Sequence, residues 1–232
     1  MARGHSAARH PFPPFMGYML RPGISFCRVG DRFLFLDLGR DRYFALADIA
    51  DRVFAALLAG DQIGDDDAGR LVAQGLLVET PGAERPLPTR LPSAPASSLL
   101  DLAAAASRGG GTAALARRLL VAAELRATSL AGALSRLALR KERQARNAGA
   151  AADPLPVARA FAAAALIVPA RDRCLTTSLA LAHRLISLGH APDLVLGVKL
   201  RPFQAHCWVQ LGAVLPGDRV DVVRNFTPIL SV

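Results

Sequence analysis

The sequence predicts an α+β fold in which a small N-terminal domain precedes a larger C-terminal domain. Residues 23–80 carry three short strand patterns followed by helical periodicity, whereas alanine-rich helices and a small antiparallel sheet are expected beyond residue 99. Between them, residues 81–98 hold five prolines and few large apolar side chains. Because this is the composition of a linker, the predicted division is 1–80, 81–98 and 99–232.

The N-terminal domain has a winged-helix-like outline. Strands are expected at residues 24–28, 32–38 and 43–46, where apolar runs are separated by turn signals. Helical spacing follows from Ile49 to Leu58, and Gly60 is placed to end that helix. A second short helix is expected over residues 65–74, and residues 76–78 are predicted to form a closing strand.

The C-terminal domain is predicted to be helical before its last strands. Helices are expected at residues 113–125, 129–146 and 157–167, and a further helix starts at Cys174 and ends at Gly189. Strands are expected at residues 194–199, 205–211 and 219–223.

The composition argues against several classes of protein. Hydrophobic residues make up 52% of the 232 residues, but the uncharged stretch 160–170 is far too short to cross a bilayer. The basic N terminus lacks the apolar core of a signal peptide, so we expect a flexible or strand-leading tail. The three cysteines form no CxxC pair, which argues against a zinc site or disulfide framework and fits the reducing cytoplasm.

The net charge of +9 favours an acidic partner, either an acidic peptide or a nucleic acid. No predicted helix combines a dense basic stripe with interleaved aromatic residues, so no nucleic-acid partner is expected. No cofactor or metal is predicted either.

Three residues in the last third of the chain carry the predicted chemistry. Cys174 begins a helix after a charged loop, where the helix dipole and the adjacent Arg171 and Arg173 favour a thiolate. His206 lies on a strand-like run, and Asp218 follows 12 residues later, past a turn. A thiol, a base and a carboxylate that orients the base are the groups of cysteine proteases and transglutaminases.

Some alternatives at these positions stay open in the sequence. Asp221 competes with Asp218, because strand alternation alone does not choose between them. Gln204, or the backbone amide of Cys174, could supply an oxyanion donor. Cys207 faces away from the base if the segment is a strand, so we expect it to be a core residue.

Another histidine is excluded as the base by distance. His183 lies on the same predicted helix as Cys174, about 13 Å along its axis, and cannot reach the thiol. Only His206 lies on a separate element that could be brought opposite the helix N terminus.

Several short motifs are spaced around the three residues. They are Cys174-Leu175, Ser178-Leu179-Ala180-Leu181, Leu196-Gly197-Val198, Pro202-Phe203, Ala205-His206, Trp208-Val209 and Asp218. Together they resemble the C-terminal peptidase domain of lasso-peptide B proteins, the transglutaminase-like leader peptidases. The resemblance implies a papain/transglutaminase-like fold for residues 99–232 and a triad of Cys174, His206 and Asp218, since the family spacing selects Asp218 over Asp221. Gln210 departs from the pattern, because the family usually carries an acidic residue there.

The N-terminal domain resembles a PqqD-like leader-recognition element. Gly30-Asp31, the hairpin LDLGRDRYFAL at residues 36–46 and the helix after it are similar in outline. This resemblance implies that the domain captures a leader peptide as an added β-strand.

The two resemblances imply a leader peptidase that acts on a ribosomally made precursor peptide. A separate asparagine-synthetase-like cyclase would then close a macrolactam on the freed α-amine, and the two proteins are expected to associate. A threonine penultimate in the leader would mark the cut. Three alternatives stay open: a transglutaminase or acyltransferase with the same triad, a non-catalytic peptide-binding protein, and a basic winged-helix DNA binder.

Overall fold

The computed structural model describes residues 16–61, 63–102, 110–146, 149–167 and 174–232. Residues 1–15 of the tail predicted at residues 1–20, and the arginines that precede Cys174, lie outside these residues. The last part of the predicted tail, Met16–Leu20, forms a strand. The mixed α+β class is confirmed, with N-terminal strands followed by helices and a small antiparallel sheet near the C terminus.

The chain divides into two compact units. Of the described residues, those within 16–22 and 47–87 form the smaller unit, and those within 23–46 and 88–232 form the larger one. The predicted strands at 24–46 therefore group with the C-terminal region in their packing. The predicted domain division at 80 and 98 stays a prediction.

The smaller unit combines two helices with a two-stranded sheet. Strand β1 (Met16–Leu20) pairs antiparallel with the last strand of the unit, Leu77–Pro81, and helices α1 (Asp48–Ala59) and α2 (Asp65–Ala73) lie between them in the chain. Helix α1 ends where predicted, because Gly60 adopts a left-handed conformation (φ 85°) that a side chain would strain.

The larger unit begins with a three-stranded antiparallel meander. Its strands are β2 (Ile24–Val29), β3 (Arg32–Asp37) and β4 (Arg42–Ala45), in the order β2-β3-β4. Cys27, Leu34 and Leu36 share one face and join the main hydrophobic core of the unit. This meander is therefore part of the core that also supports the C-terminal helices.

Among the described residues, four long helices, the single helical turn Val220–Val223 and two further sheets complete the larger unit. The last strand of the smaller unit, Leu77–Pro81, is numbered β5. In the larger unit, a short strand β6 (Ser97–Ser98) pairs in parallel with β9 (Val214–Leu215). The helices are α3 (Gly111–Ala127), α4 (Leu130–Arg146), α5 (Leu155–Ile167) and α6 (Cys174–Ser187). Strands β7 (Asp193–Lys199), β8 (Gln204–Gln210) and β10 (Thr227–Ser231) form an antiparallel sheet in the order β10-β7-β8.

The prediction of a strand at residues 219–223 is wrong. Val220–Val223 form a single helical turn, α7, and the third strand of the sheet is β10. The reason is local, since the Asn225 side-chain amide donates hydrogen bonds to the carbonyl oxygens of Asp221 (2.6 Å) and Val222 (3.2 Å). These bonds satisfy groups that a short helix leaves without partners.

Among the described residues, no helix combines the length and the hydrophobicity that a membrane span requires.

A glycine on β7 makes room for the indole of Trp208 on β8. A Cβ atom at Gly197 would lie only 2.6 Å from ring carbon Cζ3 of Trp208, whose side chain is fully buried. Gly197 and His206 face each other across the β7–β8 ladder, so this close packing lies directly beneath the predicted base.

We expect Gly197→Ala to destabilise the larger unit by about 1–3 kcal/mol, because the added methyl displaces a buried ring. Urea unfolding followed by fluorescence of Trp208, the single tryptophan, measures this. The matched control is Gly132→Ala on α4, where the Cβ meets nothing closer than the Ser129 hydroxyl oxygen at 3.4 Å. The control should be neutral or stabilising by about 0.5 kcal/mol. Equal midpoints for both variants would contradict the tight packing at Gly197.

Candidate active site

The N terminus of α6 places Cys174 at the edge of β8. One turn further along α6, the Ser178 hydroxyl donates a buried hydrogen bond of 2.7 Å to the carbonyl oxygen of Cys207. Residues four apart share a helix face, so this bond brings the Cys174 thiol next to the strand. The backbone N–H of Cys207 is also directed at the Cys174 sulfur.

His206 connects the thiol to a carboxylate. Its Nε2 lies 2.5 Å from Oδ2 of Asp218, and its ring also hydrogen-bonds the side chain of Cys174. Because Nε2 faces Asp218, the bond to the thiol uses Nδ1. The structure thus brings all three predicted residues together as thiol, imidazole and carboxylate.

Asp218 is fixed at both its backbone and its side chain. Its Oδ1 accepts a hydrogen bond from the backbone N–H of Arg219 (2.9 Å), and its carbonyl oxygen accepts one from the buried Ser98 hydroxyl (2.6 Å). The competing carboxylate, Asp221, is exposed and contacts Nε of Arg219 at 3.2 Å. Asp218, and not Asp221, therefore meets the base.

Two aromatic rings flank the imidazole. The ring centroid of Trp208 lies 6.0 Å from that of His206, and the centroid of Phe226 lies 5.1 Å from it. The His206 and Asp218 side chains are only 20% and 18% exposed. Limited access of water strengthens the electrostatic interaction between them.

The surroundings shift the pKa of both the thiol and the imidazole in the directions that favour an ion pair. Burial alone would lower the pKa of His206, but the hydrogen bonds to Asp218 and Cys174 and their charges outweigh it and raise that pKa to about 9. Burial would raise the pKa of Cys174, but His206 and the N–H groups of Cys207 and Leu175 lower it below its ordinary value. A thiolate next to an imidazolium is the reactive form of a catalytic cysteine.

The triad opens into a cavity of about 360 Å³. The cavity is lined by Cys174, Thr177, Ser178, His206, Cys207, Gly217 and Asp218. The sulfur is therefore accessible to a substrate carbonyl. No group of three or more metal-ligating side chains occurs within the described ranges.

A family comparison agrees with this geometry. Residues 117–231 match the family model described as the transglutaminase-like superfamily, and the matched region contains the whole triad. The match supports a transglutaminase-like domain in the C-terminal part of the chain. No curated protein and no solved structure matches the chain. The domain and its triad support chemistry of the peptidase or acyltransferase type, in which an acyl group passes through the cysteine.

The departure at Gln210 has a structural role in the transglutaminase-like domain. The buried Gln210 side chain accepts a hydrogen bond from the Trp208 indole N–H (2.8 Å) through Oε1. Its Nε2 donates to the carbonyl oxygens of Ser93 (2.9 Å) and Gly212 (3.0 Å). A carboxylate could not donate these two bonds, so the amide suits this protein.

A residue that the sequence did not indicate also approaches the site. Tyr43 on β4 packs on the main core, and its ring centroid lies 5.6 Å from that of Phe203. Burial, followed by the charges of Cys207 and Cys174, raises the pKa of its hydroxyl well above the ordinary value. The β2–β4 meander thus extends to the neighbourhood of the nucleophile.

The remaining candidates differ in how far they take part. Cys207 is buried in the core, as expected, and burial raises the pKa of its thiol well above the ordinary value. Gln204 is exposed at the start of β8 and does not line the triad cavity. The backbone N–H groups beside the sulfur are better placed than Gln204 to act as oxyanion donors.

Two supporting serines differ in the sequence signal that could have revealed them. Ser178 lies four residues after Cys174, a spacing that places both on one helix face. Ser98 has no such signal, because it contacts Asp218 from 120 residues away.

We expect His206→Ala to slow alkylation of Cys174 by iodoacetamide at pH 6 at least about tenfold. Loss of the imidazolium lets the pKa of the thiol rise toward that of free cysteine, so less thiolate is present. Mass spectrometry of the Cys174 peptide gives the rate. His190→Ala is the matched control, because the His190 ring contacts the carbonyl oxygen of Ala152 instead. Equal rates in the wild type and His206→Ala would contradict the ion pair.

We expect Ser178→Ala to move the alkylation profile of Cys174 to higher pH and to lower stability by about 1–3 kcal/mol. The variant leaves the carbonyl oxygen of Cys207 without its buried donor and loosens the thiol from His206. The control is Ser187→Ala at the far end of α6, where the exposed hydroxyl donates to the carbonyl oxygen of Arg184 (2.7 Å) and accepts from the guanidinium of the same residue (3.2 Å). If the pH profile of Ser178→Ala stays in place, Ser178 does not position the nucleophile.

Proposed function

We propose that this protein is a cysteine peptidase that removes the leader from a ribosomally made precursor of a lasso peptide. The observation that carries the proposal is the hydrogen-bonded series from Cys174 through His206 to Asp218 at an open cavity. The family match supports acyl chemistry at this triad. The motif resemblance described above supports the choice of a leader–core bond as the substrate.

In the first step, the Cys174 thiolate attacks the carbonyl carbon of the leader–core bond. The backbone N–H groups near the sulfur, including that of Leu175 at the start of α6, stabilise the oxyanion. The tetrahedral intermediate collapses, the C–N bond breaks, and the leaving amine takes its proton from Nδ1 of His206. The products of this step are a thioester on Cys174 and a core peptide with a free α-amine.

In the second step, water hydrolyses the thioester. His206, now neutral, accepts a proton from the attacking water, and Asp218 stabilises the imidazolium that forms. Collapse of the second intermediate breaks the C–S bond and releases the leader as a free carboxylic acid. The proton on His206 and the thiolate on Cys174 restore the starting ion pair.

The β2–β4 meander is the proposed site of leader capture. Within the part of the chain that the structure describes, β4 pairs with β3 along one edge only. An extended peptide can add to such an edge through backbone hydrogen bonds. Since Tyr43 on this strand lies near Cys174, a peptide bound along β4 would be kept close to the nucleophile, which raises its effective concentration there.

The proposed partners follow from the product. A peptide with a new α-amine is the substrate that an asparagine-synthetase-like cyclase requires to form a macrolactam, so we propose that such a cyclase associates with this protein. We propose the cytoplasm as the compartment, since the three cysteines are free thiols.

We expect the wild-type protein to cleave a precursor peptide encoded beside its gene, and Cys174→Ala to leave that peptide intact. In water enriched in ¹⁸O and containing methylamine, mass spectrometry should find the leader as an ¹⁸O-labelled acid. A leader recovered mainly as the methylamide would identify an acyltransferase instead. Release of leader by Cys174→Ala would contradict catalysis by the triad.

The carboxylate is tested by two matched substitutions in the same experiment. Asp218→Asn should lower the cleavage rate at least about 100-fold, because His206 loses the group that orients it. Asp221→Asn should retain the wild-type rate, since Asp221 is exposed and bonds Arg219.

A further inference from the structure

A second cavity, of about 460 Å³, lies beyond the rings that flank His206. Its lining is mainly apolar and includes Leu91, Pro95, Trp208, Val223, Phe226 and Pro228. This volume is in the range of cavities that bind small ligands or side chains. Neither the triad nor the mechanism above uses this space.

The outer wall of the cavity is a fixed part of the fold. It is formed by residues 91–95 of the proline-rich segment predicted as a linker. The amide of Gln210 donates a hydrogen bond to the carbonyl oxygen of Ser93 on this wall, and the chain next pairs with β9 through β6. The wall is therefore attached to both β8 and β9.

Two aromatic rings belong both to the cavity wall and to the surroundings of His206. Trp208 and Phe226 line the cavity, and the same two rings contact the imidazole of His206. A peptide that passes over His206 would therefore reach the cavity within a few residues.

The order of proton transfer decides which half of the substrate lies next to this cavity. His206 gives its proton to the leaving amine, so the peptide released in the first step must begin at the imidazole. The acyl half stays attached to Cys174. Residues just after the cut therefore lie on the His206 side of the site.

We propose that this cavity binds an apolar side chain from the first few residues of the released peptide. The inference rests on the proposed function and adds to it a substrate-selecting site on the leaving side. Its apolar lining favours an aliphatic or aromatic side chain over a charged one. The exposed Arg224 at its rim favours an acidic group next to that side chain and disfavours a basic one.

The test compares two kinds of substrate. The first joins the leader half to an aminocoumarin, a leaving group that carries no amino-acid side chain. The second is a set of peptides that span the cut, with alanine, phenylalanine or aspartate at each of the first three positions after it. The wild-type kcat/KM should favour phenylalanine over aspartate about tenfold at one of these positions.

Two leucines on the same proline-rich segment give matched variants. Leu91 is 43% exposed and lines the cavity, whereas Leu87 is 79% exposed and does not. Leu91→Asp should abolish the preference for phenylalanine and leave cleavage of the coumarin substrate unchanged. Leu87→Asp should change neither.

Each result bears on the proposal. A wild type without preference at all three positions overturns it, and so does a Leu91→Asp variant that keeps the preference. A Leu91→Asp variant that loses activity on both substrates equally also overturns it, since the effect would then be structural. If the wild type fails to cleave the coumarin substrate in a Cys174-dependent manner, the proposed peptidase function itself fails.

Discussion

The hydrogen bond from Ser178 to the carbonyl oxygen of Cys207 is the constraint on which the site depends. It ties the second turn of α6 to β8, and these two elements carry the thiol and the imidazole. Core side chains such as Leu179 on α6 and Val209 on β8 pack the two elements together, and this bond adds a fixed polar contact one turn from the thiol. The N–H of Cys207 also contributes to the lowered pKa of the Cys174 thiol. The backbone of this one residue therefore both holds α6 in place and stabilises the thiolate.

Behind the imidazole, the packing on β7 and β8 forms a continuous support. Gly197 admits the indole of Trp208, the indole N–H is bonded by Gln210, and Gln210 in turn bonds the chain at Ser93. Each contact limits the freedom of the next. An acidic side chain in place of Gln210 would need different partners on the segment around Ser93. The glutamine at this position and the path of that segment therefore depend on each other.

The sequence predicted the local structure well where the signal was local. Helix starts and ends followed from periodicity and from residues such as Gly60, and the grouping of Cys174, His206 and Asp218 followed from spaced motifs. The short helix at residues 220–223 was missed because β-branched residues there mimic a strand, whereas the side chain of Asn225 supports the helical turn. Ser98 and Tyr43 could not be predicted, since their contacts bridge more than a hundred residues.

The grouping of the β2–β4 meander was equally hidden in the sequence. Apolar residues lie on both faces of its strands, and both faces are buried. The sequence pattern alone does not tell which part of the chain packs against which face.

The place of the meander in the larger unit has a consequence for how the protein can be divided. Cys27, Leu34 and Leu36 are members of the same core as the helices that carry the nucleophile. A fragment that starts at residue 99 would present the contact surface of those three side chains to water and would tend to aggregate or unfold. A fragment that keeps this core intact therefore has to include residues 23–46 as well as residues 88–232.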